Sequence, residues 1–365
     1  MRGYNYMLVY VLSNVGFKRI GVVDDYEYLI WNDKFCDCGD FELSIPYESR
    51  NSGLFQIDRY ITIDYSDRTM IIDSIILKNS DGKYHIVVKG RSLESILERR
   101  VFFEKFETTM PLNRFLRTIL EKTFIAPADE ARKVSNMYYS SSSVCDGDEY
   151  KVTADFSGEN VFTAVKTLAS MFNLGFSVTL INRSFRVSLE FPTDRTLGTS
   201  KKPIIFSPNM DTLFNSNFID TTDGKCNIAY CGGGENWANR EYVTLHAPYT
   251  TPFAYGTSGL TRRETYISGE ITKEECEGNQ TLYHDILRTY GMNKFKEYYT
   301  TTAFEGEIDN TERYKYGTDY KIGDIVTVDD GMGNSAKARI VEYIISDNEE
   351  GLVKYPTFEM VEEYE

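Results

Sequence analysis

A strand pattern near the N-terminus, Ile61-Thr62-Ile63-Asp64, returns near the C-terminus as Val326-Thr327-Val328-Asp329. Each copy then passes through a turn, Tyr65 to Arg68 in the first and a longer Gly-rich Asp330 to Asn334 in the second. A long apolar run follows in both, where Ile72-Asp73-Ser74-Ile75-Ile76 aligns with Val341-Glu342-Tyr343-Ile344-Ile345. After an acidic turn, each copy enters a run containing Lys-Tyr, at Lys83-Tyr84 and at Lys354-Tyr355. Period-2 β-branched runs separated by Asp, Gly and Ser turns predict antiparallel meanders. Two similar meanders predict two similar small barrels, so three such chains around an axis would present six equivalent modules.

With 365 residues the chain exceeds what one core usually serves, and two to four domains are expected. Its aromatics are almost all Tyr (27) and Phe (22), which suit strands. The net charge of −15 argues against a grip on nucleic acid or on an anionic membrane, because both need Lys/Arg patches. An acidic surface is compatible with a passage through which nucleic acid slides, but from charge by itself solubility alone is the favoured reading. No apolar run approaches the roughly 20 residues of a membrane span, so no membrane anchor is expected. Met7-Leu8-Val9-Tyr10-Val11-Leu12 reads as a first strand rather than a signal peptide, which places synthesis and folding in the cytoplasm. The cysteines (36, 38, 145, 226, 231, 276) and histidines (85, 246, 284) show no metal-ligand spacing; reduced thiols and no metal or cofactor are expected.

The pattern along the chain is β-rich α+β and multidomain: two antiparallel β-barrels with α/β inserts. Residues 1–100 with about 199–217 form the first barrel, and 101–198 an α/β insert. Residues 218–258 with 318–365 form the second barrel, and 259–317 a small mixed α/β insert. In the larger insert, Leu112, Phe115, Leu116, Ile119 and Leu120 fall at helical spacing, as do Val161, Ala164, Val165, Leu168, Ala169 and Phe172, with Gly175 as the stop. In the smaller one, Leu282, Ile286, Leu287 and Tyr290 mark a helix.

Chemistry-bearing motifs are scarce. Gly232-Gly233-Gly234-Glu235 lacks the Lys-Ser/Thr of a phosphate loop and reads as a strand-terminal turn or bulge. Asp146, Asp148 and Glu149 lack the rest of a calcium loop. His284-Asp285 has no Ser or Cys nucleophile motif beside it. Among 55 acidic residues, a glycosidase carboxylate pair is not identifiable without distances. Asp194-Arg195-Thr196 and Arg262-Arg263-Glu264 flank strands and read as structural or inter-subunit ion pairs. Tyrosines able to stack on sugars form no cluster in the sequence.

Phe41-Glu42-Leu43-Ser44-Ile45-Pro46, Asp58-Arg59-Tyr60-Ile61-Thr62-Ile63 and Gly90-Arg91-Ser92-Leu93 with Arg99-Arg100 resemble the opening of the phage tail hub family. These are the tail-associated or base-plate hub proteins of phages and of phage-tail-like bacteriocins. Asp194-Arg195-Thr196, Ile205-Phe206-Ser207, Asn227-Ile228-Ala229-Tyr230, Arg262-Arg263-Glu264 and Tyr320-Lys321-Ile322-Gly323-Asp324-Ile325-Val326-Thr327-Val328 extend the resemblance over essentially the whole chain. It implies two tail-tube-like barrels and a homotrimer that matches a sixfold tail tube or distal tail ring to a threefold tip. It further implies a virion location at the tail tip, a lumen passing DNA and tape-measure protein without specific binding, and no enzymatic activity. Three copies at −15 would carry −45. Some family members carry a C-terminal lysin or receptor-binding extension. This chain stops within the second barrel, so a separate spike, fibre or lysin protein is expected. The alternatives are a tail-associated peptidoglycan hydrolase and a carbohydrate-binding adhesin.

Overall fold

The computed structural model describes residues 7–80, 82–103, 108–154, 158–218, 223–236, 238–247, 257–269, 271–299, 302–307, 313–332 and 335–361. Seven strands come first: β1 (Val9–Leu12), β2 (Arg19–Val23), β3 (Tyr28–Lys34), β4 (Asp40–Pro46), β5 (Tyr60–Ile63), β6 (Met70–Ser80) and β7 (Lys83–Ser92). The insert carries β8 (Val101–Phe102), β9 (Thr108–Pro111), α1 (Leu112–Leu120), β10 (Met137–Ser140), β11 (Lys151–Ala154), β12 (Glu159–Asn160), α2 (Val161–Met171), β13 (Gly175–Ile181) and β14 (Ser184–Glu190). Then follow β15 (Ile205–Phe206), β16 (Phe214–Phe218), β17 (Ile228–Gly232), β18 (Tyr242–His246), β19 (Glu264–Ser268), α3 (Gln280–Tyr299) and β20 (Thr302–Glu307). The chain closes with β21 (Ile325–Asp329), β22 (Ser335–Asn348) and β23 (Gly351–Met360).

Both meanders use the same strand order, β3-β4-β7-β6-β5 in the first copy and β16-β20-β23-β22-β21 in the second, with every neighbour antiparallel. The two meanders are joined edge to edge. β22 pairs with β3 from Glu342↔Lys34 to Asn348↔Tyr28, which fuses both copies into one 13-stranded sheet. The cause is length. β21 covers β22 only from Ser335 to Arg339, leaving the edge of Glu342–Asn348 for β3 to take. One core serves both copies, with Val9, Trp31, Leu43, Ile61, Val88, Val326, Ile340, Ile345 and Phe358 all inaccessible to solvent.

The repeat register differs from the sequence alignment. A bulge interrupts β6 between Ile72 and Ser74, and another interrupts β22 between Ile340 and Glu342. The hairpins close at Ser80↔Lys83 and Asn348↔Gly351. Ile72 is thus equivalent to Ile340, one residue before the Val341 that the β-branched pattern selects. Lys83 is likewise equivalent to Gly351 rather than Lys354. Runs of Ile and Val match equally well one residue out of step, whereas a bulge fixes the side-chain faces. Ile61 to Asp64 and Val326 to Asp329 occupy the same place, with Tyr60↔Ile71 matching Ile325↔Arg339.

A second core lies in the insert. Leu112, Phe115, Leu116, Ile119 and Leu120 of α1 meet Val161, Ala164, Val165, Leu168 and Ala169 of α2 there, beneath Phe176, Val178, Phe185 and Val187. Asn160 caps α2 by accepting from Phe162 N at 2.9 Å. Gly175 does not stop that helix. Asn173 takes the left-handed conformation (φ 55°), and Gly175 opens β13, where a Cβ would lie 2.4 Å from the Phe35 ring.

A third core departs from the expected grouping of 218–258 with 318–365. β17 pairs with β18 and β19 in a separate three-stranded sheet against α3. Strands of only five residues carry no mark of their partner, so the strand pattern alone placed them in the wrong sheet. The buried face of α3 is Tyr283, Leu287, Phe295 and Tyr299, rotated from the expected stripe, in which only Leu287 is fully buried. Among the described residues no helix is long and apolar enough to cross a membrane.

Candidate assembly interface

Opposite the core, the shared sheet turns a polar face outward. Strand alternation places Leu43, Ile45, Ile86 and Val88 inward and Glu42, His85 and Lys89 on the opposite face, where Ser44 and Val87 are also buried. Ion pairs run along it, Lys89–Glu42 (2.5 Å), Lys34–Asp40 (2.8 Å), Lys34–Glu342 (3.9 Å), Arg91–Asp73 (2.8 Å) and Arg91–Glu98 (2.6 Å), and His85 Nδ1 lies 2.7 Å from the Glu27 carboxylate. Lys89 and the Tyr28 hydroxyl hold the Glu42 carboxyl below its ordinary range. Single half-exposed pairs of this kind stabilise little. Their collective effect is a face on which six carboxylates stand against the cations of Lys34, Lys89 and Arg91.

Where the copies meet, the polar groups are buried. Asp33 of β3 lies opposite Tyr343 of β22, is 1% exposed, and accepts from Trp31 Nε1 (2.9 Å), Ser66 Oγ (2.8 Å) and Tyr316 OH (3.1 Å). Tyr316 stacks on Tyr343 with centroids 3.8 Å apart and planes at 7°. Nearby Arg68, also buried, pairs with Glu94 and, at 3.2 Å, with Glu190 of β14. Glu94 additionally accepts from Val178 N of β13 at 2.9 Å, and its second oxygen has no protein partner. One guanidinium thus ties the first repeat to the insert, with Asp33 linking the second repeat beside it.

Burial pushes the Asp33 carboxyl up to about 6, outweighing the pull of Arg68 and of three hydrogen-bond donors. The folded state therefore holds this proton more tightly than the unfolded state. Its stabilising contribution is complete below about pH 4 and is lost as pH rises to about 6. Asp33→Asn should remove that dependence. Between pH 4 and 7.5 wild type should lose about 2–3 kcal/mol more than the variant in urea titrations. Equal losses would contradict the assignment.

A cleft of about 890 Å³ opens where β22 and β23 face α2 and α3. Arg339 lies over the Phe35 ring (5.0 Å) and donates to Asn173 O at 3.1 Å, while Lys296 donates to Ser170 O at 2.7 Å. Both cations meet the carbonyl-rich C-terminal end of α2, where positive charge is favoured. The cleft is a meeting point of all three cores.

The two charge groups singled out from the sequence have partners inside the chain. Arg195 Nε pairs with Asp324 at 2.5 Å, and Asp194 accepts from Thr196 N and Oγ1 at 2.9 and 2.6 Å. Arg262 pairs with Glu264 and donates to Tyr230 OH at 2.5 Å, while the Arg263 backbone carbonyl accepts from Asn227 and Ile228. Of the repeat residues, Ile61, Ile63, Val326 and Val328 are core. Thr327 Oγ1 accepts from Leu197 N at 3.1 Å, Asp64 from Tyr10 OH at 3.2 Å and Asp329 from Ser207 Oγ at 3.0 Å. Gly233 follows the last residue of β17, and a Cβ there would sit 2.0 Å from the Tyr283 hydroxyl. Sequence reading missed Arg68, Glu94 and Glu190; the one available signal was charge inside otherwise apolar segments.

A family model described as Siphovirus ReqiPepy6 Gp37-like protein matches residues 8–358. A tail protein from Neisseria meningitidis MC58 has a similar fold, with TM-score 0.59 and 13% identity over 97% of this chain and 96% of that one. The 43 kDa tail protein of prophage MuSo2 from Shewanella oneidensis gives 0.58 and 12%, covering 96% and 98%. Prophage tail protein gp18 from Listeria monocytogenes EGD-e gives 0.54 and 9%, covering 96% and 94%. No curated protein sequence matches.

Proposed function

The chain belongs to the family of Siphovirus ReqiPepy6 Gp37-like proteins, and on that premise we propose that it is the structural hub of a phage or phage-like tail, assembled as a trimer. It is a virion tail protein with a tail-protein fold. The observation that carries the hub reading is the edge-to-edge joint of β22 with β3, which sets two copies of one strand order side by side with a polar face in common. Three chains then supply six tube-like modules around one axis, and the strands form an annulus that adapts a sixfold tail tube or distal tail ring to a threefold tip.

The polar face lines the channel in this reading. Its excess of carboxylates repels phosphate, so DNA and tape-measure protein pass without adhering. The insert and the third core stand over the Lys34–Glu342 end of that face, and a separate spike, fibre or lysin completes the tip. The hydrolase and adhesin alternatives have no comparable geometric support. Native mass measurement of the hub complex released from assembled tails tests the reading. Three copies are expected; a single copy per particle would exclude it.

A further inference from the structure

The two repeats differ in one respect that matters for assembly. In the second, the edge of β22 from Glu342 to Asn348 is covered by β3. In the first, the equivalent edge of β6 from Ser74 to Ser80 has no strand beside it among the described residues. β5 pairs with β6 only at Ile71 and Met70, and Arg59 and Asp58 bond to Ile72. The consequence is visible in burial. Tyr343 and Ile345 are 1% and 0% exposed, whereas Ile75 and Leu77, in the same places on β6, are 39% and 57% exposed. An open strand edge with exposed apolar side chains is a template for another strand.

The complementary element is also present. β16 holds in the second repeat the place of β3 in the first, and among the described residues it pairs with β20 alone. Its register follows from the ladder. Trp31 lies opposite Phe41, which lies opposite Gly90; Phe218 lies opposite Phe304, which lies opposite Phe358, the position equivalent to Gly90. Phe218 therefore corresponds to Trp31, and Asn217 to Ile30.

We propose that the Ser74–Ser80 edge receives β16 of a neighbouring copy of this chain, antiparallel, in the register that β3 adopts on β22. Trp31 pairs with Ile345 and Ile30 with Ser346 within the chain, so Phe218 pairs with Leu77 and Asn217 with Lys78 between chains. Each chain offers one acceptor edge and one donor strand, a head-to-tail arrangement that closes when the rotation permits. Three intrachain joints then alternate with three interchain joints of the same kind. This rests on the hub reading and adds which edges meet and in what register.

Paired cysteine substitutions in assembled tails test it. Lys78→Cys with Asn217→Cys, and Leu77→Cys with Phe218→Cys, bring Cα atoms within disulfide reach if the register is right, the non-hydrogen-bonded pair linking best. Oxidation should convert most of the chain to covalent dimers and trimers for at least one of these pairs. The off-register pair Leu77→Cys with Phe214→Cys, and wild type with its own cysteines, should stay unlinked. Trimeric hubs without an in-register link would overturn the edge pairing and leave the trimer standing; no trimer in the particle would overturn both. A single Leu77→Asp chain should melt within about 2 °C of wild type, because the side chain is already exposed, yet reduce trimer yield at least tenfold. Unimpaired trimer yield would count against the proposal.

Discussion

An Arg68→Met chain should lose about 3–5 kcal/mol of folding stability, the usual consequence of removing one partner from a buried ion pair. Methionine fills much of the volume but leaves Glu94 and Glu190 facing each other with Asp33 nearby, and Glu94 is 1% exposed. The uncompensated carboxylate charge dominates the effect, more than the missing hydrogen bonds do. Arg68→Met combined with Glu94→Gln should therefore recover a substantial part of the loss. Chemical denaturation of these two variants beside wild type measures both numbers. A loss below about 1 kcal/mol would mean that water reaches the network and screens it.

Trp31→Ala should cost a similar amount, about 3–5 kcal/mol, as large aromatic truncations in cores do. Trp31 is fully buried on β3, opposite Ile345 across the joint and Phe41 on the other side, and its Nε1 donates to Asp33. Truncation thus opens a cavity and removes a donor from a buried carboxyl at once. Trp31→Phe keeps most of the bulk and isolates the donor, with an expected cost of about 1–2 kcal/mol. Because β3 covers β22, the alanine variant should also speed amide exchange in Glu342–Asn348 more than in the insert strands. Uniform acceleration over both would place the weak point elsewhere.

The parts of this architecture that were legible in the sequence are those governed by local periodicity. Alternating Ile, Val and Thr around positions 61 and 326 mark the equivalent strand twice, and the stripes of α1 and α2 lie where their apolar spacing puts them. Register was not legible, because the bulges after Ile72 and Ile340 depend on backbone geometry that β-branched residues do not encode. Partner choice was hidden for the same kind of reason. Nothing in Tyr28–Lys34 announces a partner more than 300 residues away, and the short strands β17 and β18 read like members of either sheet. Glu94 and Glu190 lie 26 and 122 residues from Arg68 along the chain, so no motif spacing could join the three. The open edge of β6 became visible only by comparison with its covered counterpart on β22.

Imaging of the assembled tail tip at a resolution that separates strands is the most direct test of the central claim. The account predicts a ring of six similar modules contributed by three chains, with joints inside and between chains alternating around a polar lumen. A single lobe per chain, or three chains whose β3–β22 joints lie away from the axis, would contradict it.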